Sequence, residues 1–313
     1  MSFYNYSGTL LPANFISIKD YGAKGDGVTD DASAIQSALD SLKNTGGTVF
    51  FPYGTYLLKS AVVFYSNQNL IFDGGATLLQ GAAINNLMRS YCKSDMTAYT
   101  GTHDVLIYGA TFDGGNYEEN NGLLCMAHSK NISIERCTFK NAYGTWHNLE
   151  INSSYNVKVK DCDFEGSRKT GDHGELIQID AATSNMVYPF EGVNFDDTVC
   201  KYIDIDGCIF HDNTISPAIG NHSAMPHQFV QIHDCIFEGL TSSRGVINFY
   251  SDITDIDIYS NVFHECSKGI GTSGETYYIR DNRFVDTPTA IAGSASVAHG
   301  NMINGTFTDL LKT

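Results

Sequence analysis

The stretch NISIERCTF (Asn131–Phe139), followed by WHNLEIN (Trp146–Asn152), recurs at once as NVKVKDCDF (Asn156–Phe164) followed by HGELIQID (His173–Asp180). Each copy is a short run of alternating apolar and polar residues, a turn, and a second alternating run with carboxylates on its polar positions. Alternation of this kind marks a half-buried strand. A unit of two short strands cannot bury its own apolar face, so it requires neighbours of the same kind.

Those neighbours are present on both sides. NLIFDGGATLLQG (Asn69–Gly81) and DVLIYGATFDGG (Asp104–Gly115) precede the pair. YIDIDGCIF (Tyr202–Phe210), FVQIHDCIF (Phe229–Phe237), DIDIYSNVF (Asp255–Phe263) and YYIRDNRF (Tyr277–Phe284) follow it. Cys137, Cys162, Cys208, Cys235, Asn261 and Asn282 share one slot, two residues before a Phe, at spacings of 25, 46, 27, 26 and 21. Periods in the twenties predict a solenoid. The gap of 46 predicts one coil carrying an inserted loop, Ala181–Cys200; loops of that size are often functional. A slot that accepts Cys or Asn reads as an interior ladder of reduced thiols, and no CxxC occurs among the eight cysteines.

The rest of the composition agrees. Thirty Gly and six Pro among 313 residues, with many short Val, Ile and Phe runs, favour strands and tight turns. A net charge of −16 argues against nucleic acid and anionic membrane surfaces as partners, and disfavours a polyanionic substrate without a metal or local basic patch. No run approaches a membrane span, and MSFYNYSGTLLPANF lacks the pattern of a signal peptide. The expectation is a protein that is cytoplasmic, released by lysis to a virion or extracellular setting, or cut from a longer precursor.

At the N-terminus, Phe15–Ile18 alternates like a strand and GAKGDG (Gly22–Gly27) is turn-rich. Ala34, Ile35, Ala38, Leu39 and Leu42 recur at helical spacing after the capping side chains of Thr29–Asp31. This reads as a cap over the open end of the core. Asp26, Asp30 and Asp31 fit turn and capping roles better than a metal site. DYGAKGDGVTDDASAIQSAL followed by GGTVFFPYGTYLL resembles the N-terminal signature of the pectate-lyase-like superfamily. That resemblance implies an all-β, single-stranded right-handed parallel β-helix with an N-terminal capping helix. The chain itself shows no domain boundary and reads as one domain over 1–313: a cap at 1–60, coils at 61–295 and, after Ala295, a C-terminal cover at 296–313. The superfamily includes polygalacturonase-type hydrolases and phage tailspike depolymerases, and it also implies a homotrimer.

The second strand of each coil predicts where chemistry sits. Aligning CMAH, LEIN, IQID, IGNH and INFY with Cys125, Leu149, Ile177, Ile219 and Ile247 pointing inward gives two outward columns. One is Met126, Glu150, Gln178, Gly220, Asn248; the other is His128, Asn152, Asp180, His222, Tyr250. The fourth coil is open to a slip of one residue. Such columns occur as hydrated faces, but Glu, Asp and Asn are poor strand formers, and their concentration points to a site. Glu150 and Asp180, about 8 Å apart between Cα atoms, suit inverting glycoside hydrolysis, with Asp180 as acid and Glu150 as base, or the reverse. Glu175, at a strand entrance, and His222 complete the catalytic candidates. Trp146, His147, His128, Asn152, Gln178, His173, Asn248 and Tyr250 are the candidate substrate contacts; Trp146 reads equally as a loop anchor.

The catalytic motifs of polygalacturonase-type hydrolases are missing, and GDHG (Gly171–Gly174) reads as a chance match to one of them. The calcium-binding Asp clusters of the lyases are missing too, and Arg168, Lys169 and Arg244 are the few basic residues near the face. Three functions follow: a hydrolase of a polysaccharide or oligosaccharide, with no metal or cofactor; a uronate lyase or epimerase, with calcium; and a non-catalytic carbohydrate-binding spike.

Overall fold

The computed structural model describes residues 14–118, 122–144, 146–166, 174–184, 192–212, 216–250, 253–272, 276–293, 295, 297–304 and 306–308. Within them the chain winds through three parallel sheets. One coil shows the pattern. Lys130–Glu135 lies in the first sheet and Thr138–Lys140 in the second. Leu149–Asn152 lies in the third, and Tyr155–Lys160 returns to the first, paired in parallel with Lys130–Glu135. The architecture is a parallel β-helix.

The corner between the first and second sheets is sharp because one residue there adopts a left-handed backbone. It is Arg136 (φ 52°), Asp161 (52°), Gly207 (65°), Asp234 (54°), Ser260 (56°) or Asp281 (57°) in successive coils. The corner between the second and third sheets is a longer loop. The corner from the third sheet back to the first carries the insertion that follows Asp180.

The interior is built of ladders. Phe112, Phe139, Phe164, Phe210, Phe237, Phe263 and Phe284 stack at 4.7–5.0 Å between ring centroids. Beside them runs the slot of Cys137, Cys162, Cys208 and Cys235, all free and buried, continued by Asn261, Asn282 and Asn301. In the amide part, Asn282 Oδ1 accepts from the backbone N–H of Asn261 at 3.0 Å, and Asn282 Nδ2 donates to Ile258 O at 2.8 Å. All eight cysteines are buried free thiols, as the shared slot predicts.

The helix Ala32–Ser41 buries Ala32, Ile35, Ala38 and Leu39. The acidic turn before it is structural. Asp31 accepts from the N–H groups of Lys24 (2.6 Å) and Gly25 (2.9 Å), and Asp26 from those of Val28 and Thr29. The coils extend beyond the 61–295 range at both ends. Gly47–Phe51, Thr55–Leu58 and Val62–Phe64 form a coil under the helix, and Val297–His299 and Asn301–Ile303 prolong the first two sheets. Thr306–Thr308 turns back antiparallel on the second sheet.

Candidate functional site

The third sheet sets the site. Leu149–Asn152 pairs with Ile177–Asp180 in the register Leu149↔Ile177, Glu150↔Gln178, Ile151↔Ile179, Asn152↔Asp180. Ile177 and Gln178 pair with Ile219 and Gly220, which pair with Ile247 and Asn248. Leu149, Ile151, Ile177 and Ile179 go into the core, so Glu150, Asn152, Gln178 and Asp180 point outward. The fourth coil keeps the expected register.

The first coil does not. Cys125 pairs with Glu150, Met126 with Ile151 and Ala127 with Asn152, one residue out of step with the sequence alignment. Met126 therefore points into the main core, whereas Cys125 and Ala127 join a small outer cluster with Cys92, Ala182 and Val193. The reason is local. Leu123–Ala127 is five apolar residues in a row, so alternation gives no parity there. His128 is displaced from the Asn152 column as a result. It is buried at φ 52°, with Nδ1 2.8 Å from Ala98 O and Nε2 2.8 Å from Asn194 O. It pins the insertion against the 96–100 segment, with both ring nitrogens at backbone carbonyls. Asp196 Oδ2 accepts from Ala98 N–H across the same junction.

The carboxylates have different surroundings. Glu150 is 5% exposed; its Oε1 accepts from Asn152 Nδ2 (2.9 Å) and its Oε2 from the Cys125 thiol (3.4 Å). Burial pushes its carboxyl up to about 7; the charge of Asp180 adds to this, against the two hydrogen bonds. Asp180 is fully buried. Its Oδ1 accepts from the N–H groups of Ala181 (3.0 Å) and Ser223 (2.9 Å), and its Oδ2 from Gln178 Nε2 (2.9 Å) and His222 N–H (3.0 Å). Burial pushes its carboxyl above the usual carboxylate range, with those donors pulling the other way. Four donors occupy its lone pairs.

Glu175, also fully buried, breaks the alternation expected from Ile177. Its side chain runs outward over Gly220, where a Cβ would lie 3.1 Å from Glu175 Cγ and 2.5 Å from Asn248 O. Oε2 accepts from His222 Nε2 at 2.7 Å, with His147 Nδ1 at 3.6 Å. Among the described residues Oε1 has no hydrogen-bond partner. Burial opposes its ionisation, but the two histidines outweigh that and hold it below the usual range. For His222 burial acts downward, and the bond to Glu175 overrides it, so the imidazole is raised. His222 Nδ1 lies 3.1 Å from Gln178 Nε2.

His147, Glu175 and His222 each place one ligand atom within 4.8 Å of the others. Two ligands on one tetrahedral ion with bonds near 2.0–2.1 Å lie about 3.3 Å apart. The 2.7 Å between His222 and Glu175 is a hydrogen-bond distance. As arranged, Glu175 and His222 form a hydrogen-bonded pair, and His147 Nδ1 lies 3.0 Å from the backbone carbonyl of Glu175.

Around this centre, the His147 and His222 rings are 5.4 Å apart and Tyr250 lies 6.3 Å from His222. Tyr250 is exposed and carries Arg244 over its ring at 4.7 Å. Trp146 is half-buried beside His147, and Asn248 is half-buried in the Glu150 column. His173 lies outside the described residues, as do Arg168 and Lys169. The sequence reading missed Arg89, which pairs with Cys125 and so lies in the Glu150 column, and Ser223, whose N–H holds Asp180. Arg89 was legible only from the alternation of NLMRS.

A family model described as rhamnogalacturonase A/epimerase, pectate lyase-like, matches residues 15–292. The chain belongs to that family. This pectate lyase-like chain is similar to plasmin and fibronectin-binding protein A of Streptococcus pneumoniae, with 31% identity over 291 residues, 81% of this chain and 40% of that protein. It is also similar to the preneck appendage protein of Bacillus phage PZA, with 28% identity over 233 residues, 70% of this chain and 22% of that one. The chain thus spans less than half the length of these curated relatives. Among solved structures it is similar to PfbA, a surface adhesin of Streptococcus pneumoniae, with a TM-score of 0.67, 24% identity, and 92% and 74% coverage of the two chains. A hyperthermoactive exopolygalacturonase from Thermotoga maritima gives 0.60, with 16% identity and 90% and 76% coverage. The right-handed parallel β-helix is the common fold of these pectate lyase-like proteins. No helix among the described residues is long and apolar enough to cross a membrane.

Proposed function

We propose that this chain cleaves a polysaccharide by hydrolysis, with Glu150 as general acid and Glu175 as general base. The observation that carries the reading is the convergence of Glu150, Asp180 and the Glu175–His222 pair on one outward face of consecutive coils. Their surroundings split the roles. Glu150 keeps its proton near neutral pH and can give it to the glycosidic oxygen. Glu175 stays ionised and offers Oε1 to the attacking water. Glu175 lies over Gly220, two coils from Glu150 along the same column. That separation, on the order of 9–10 Å, is at the upper end of what leaves room for a water in inverting hydrolysis. Asp180, with its lone pairs taken, holds the His222–Ser223 turn and helps keep Glu150 protonated. This keeps Glu150 as acid, one of the two assignments the sequence left open, and puts Glu175, the third candidate, in the place of Asp180. Neither role requires a metal.

The second reading, a carbohydrate-binding protein without catalysis, is favoured by burial. Glu175 is fully buried and Glu150 is 5% exposed, so a polymer meets His222, Asn248 and Tyr250 first. The adhesin and phage appendage relatives support a setting at a cell or virion surface under either reading.

Digestion of a glycan panel separates the two. New reducing ends without unsaturated uronate absorbance, lost about 10²-fold or more in Glu150→Gln and Glu175→Gln, are the expected result. Unsaturated products would mean lyase chemistry. Binding without any product, weakened in Trp146→Ala or Tyr250→Ala, would leave the non-catalytic reading.

A further inference from the structure

The first sheet carries a feature that the third-sheet site does not use. One position at the start of its strands has a left-handed backbone in coil after coil: Asp104 (φ 56°), Asn131 (55°), Asn156 (53°), Tyr202 (57°), Phe229 (56°) and Asp255 (60°). Asp and Asn are the residues that tolerate this conformation, and the early part of the column exploits them. Asn131 Nδ2 donates to Asp104 Oδ1 and Asn156 Nδ2 to Asn131 Oδ1, both at 2.8 Å. A bulky aromatic residue there is an outlier. Two occur in succession, at Tyr202 and Phe229.

Nothing in the fold requires them to be aromatic. Both lie outside the core, 45% and 41% exposed, where Asn or Asp serves in the neighbouring coils. Their rings stack at 4.7 Å and 11°, and Tyr155 packs edge-on against Tyr202 at 5.1 Å. The row ends at Asp255, whose short side chain leaves space beyond Phe229. Tyr278, 42% exposed, stands on the next strand of the same sheet. Together these residues wall a groove of about 560 Å³. Its polar lining comes from Asn156 and Asp255 and from Asp204, Gln231 and Asp257, the last three in line across adjacent strands; Asp204 is paired with Lys158 (3.2 Å) and His233 (2.9 Å). Asp257 Oδ2 accepts from Arg280 at 2.8 Å, whereas its Oδ1 is buried with no partner. Backbone strain held outside the core, at the wall of a cavity, marks a functional position.

From this we infer that the Tyr202–Phe229–Tyr278 groove is a binding site for a neutral oligosaccharide. A pyranose ring has an apolar face that matches an exposed aromatic surface and a rim of hydroxyls that match carboxylate and amide groups. Asp204, Asp255 and Asp257 line the groove and, among the described residues, no Lys or Arg does; although Lys158 and Arg280 offset two of these charges, the lining still disfavours a polyanionic sugar. A cation would need aromatic faces converging around it, and the Tyr202 and Phe229 rings are nearly parallel. The site is on a different sheet from Glu150 and Glu175 and does not depend on the hydrolytic reading.

The test is ligand-observed and tyrosine-ring NMR of the full chain with cellohexaose, maltohexaose, chitohexaose and, as the anionic probe, hexagalacturonate. At least one neutral hexasaccharide is expected to bind. Affinity should fall about tenfold or more in Phe229→Asn and in Tyr278→Ser. Asn at 229 keeps the left-handed backbone, as at 131 and 156, and Tyr278→Ser supplies a variant at an ordinary strand position. Binding of hexagalacturonate alone, or of none of the four, overturns the proposal. So does neutral-sugar binding that survives both groove variants. Ring shifts that track only protein concentration would assign the face to a second copy of the chain, and also overturn it.

Discussion

Glu175 occupies the space that a side chain at Gly220 would need. A Cβ there would sit 3.1 Å from Glu175 Cγ and 2.5 Å from Asn248 O, and the backbone of Asn248 cannot give way as a flexible side chain would. The glycine is what lets a buried acid at a strand entrance reach the outward column. Gly220→Ala is therefore expected to destabilise by about 1–3 kcal/mol and to displace Glu175 from His222. Chemical denaturation measures the first effect. The second should appear as a His222 imidazole titrating closer to its ordinary value. An alanine variant as stable as the parent would mean that the gap is not filled as described.

Glu150 makes stability depend on pH with a definite sign. Its carboxyl is near 4.5 when unfolded and raised to about 7 when folded. The stability linked to its proton is full below 4.5 and is lost as pH rises through 7, where a buried charge replaces a buried neutral acid. The shift corresponds to about 3 kcal/mol. Glu150→Gln mimics the neutral form at every pH. Its Tm relative to the parent should rise between pH 4.5 and 7.5 while activity is lost. The same titration places the alkaline limb of the proposed hydrolysis near pH 7. A Tm difference that is flat across this range would remove Glu150 as the proton donor.

The Glu175–His222 pair has the opposite dependence at each end. Glu175 is held below its ordinary value, so its contribution is present above 4.5 and fades as pH falls through its folded value. His222 is raised, so its contribution is full below 6.5 and fades as pH rises through its folded value. Glu175→Gln should cost about 1–3 kcal/mol, most of it between pH 4.5 and 6.5, where both partners are charged. Equilibrium unfolding at pH 5.5 and pH 9 reads the difference. An equal loss at both would show that the contact works as a neutral hydrogen bond.

What the sequence disclosed follows from which residues alternate. Leu149, Ile151, Ile177 and Ile179 flank Glu150, Gln178 and Asp180, so the outward rows of those coils were legible. The Cys and Phe slots were legible because a ladder repeats one residue type at one position. Where alternation stops, the reading failed. Leu123–Ala127 hid the register of its coil and with it the role of His128. Glu175 precedes its strand, so parity could not show that it turns outward over Gly220. Tyr202 and Phe229 read as ordinary strand residues, because a positive φ at an aromatic residue leaves no mark in the sequence. The donors that saturate Asp180 are mostly backbone N–H groups, which every residue but proline carries, and they are invisible until the chain is folded.

The interior slot supplies a last test, because it changes chemistry half-way along. In its first part, Cys137 N–H reaches only a thiol sulfur, at 3.4 Å from Cys162. In its second part, Asn282 Oδ1 accepts from the backbone and side chain of Asn261 at 3.0 Å, and Asn282 Nδ2 serves Ile258 O and Asn301 Oδ1. Sulfur is a weak acceptor and fills space; the amide also satisfies buried polar groups. Asn282→Leu, close in volume, leaves Asn261 N–H and Ile258 O without this partner, while Asn301 Oδ1 keeps the backbone N–H of residue 282. It should cost about 3 kcal/mol or more, since each buried orphan carries a desolvation penalty. Cys162→Ala removes one small apolar group and a poor acceptor, and should cost about 1–2 kcal/mol. Urea denaturation of the two variants compares them directly. If Cys162→Ala proves the more damaging, packing rather than amide pairing holds the slot together.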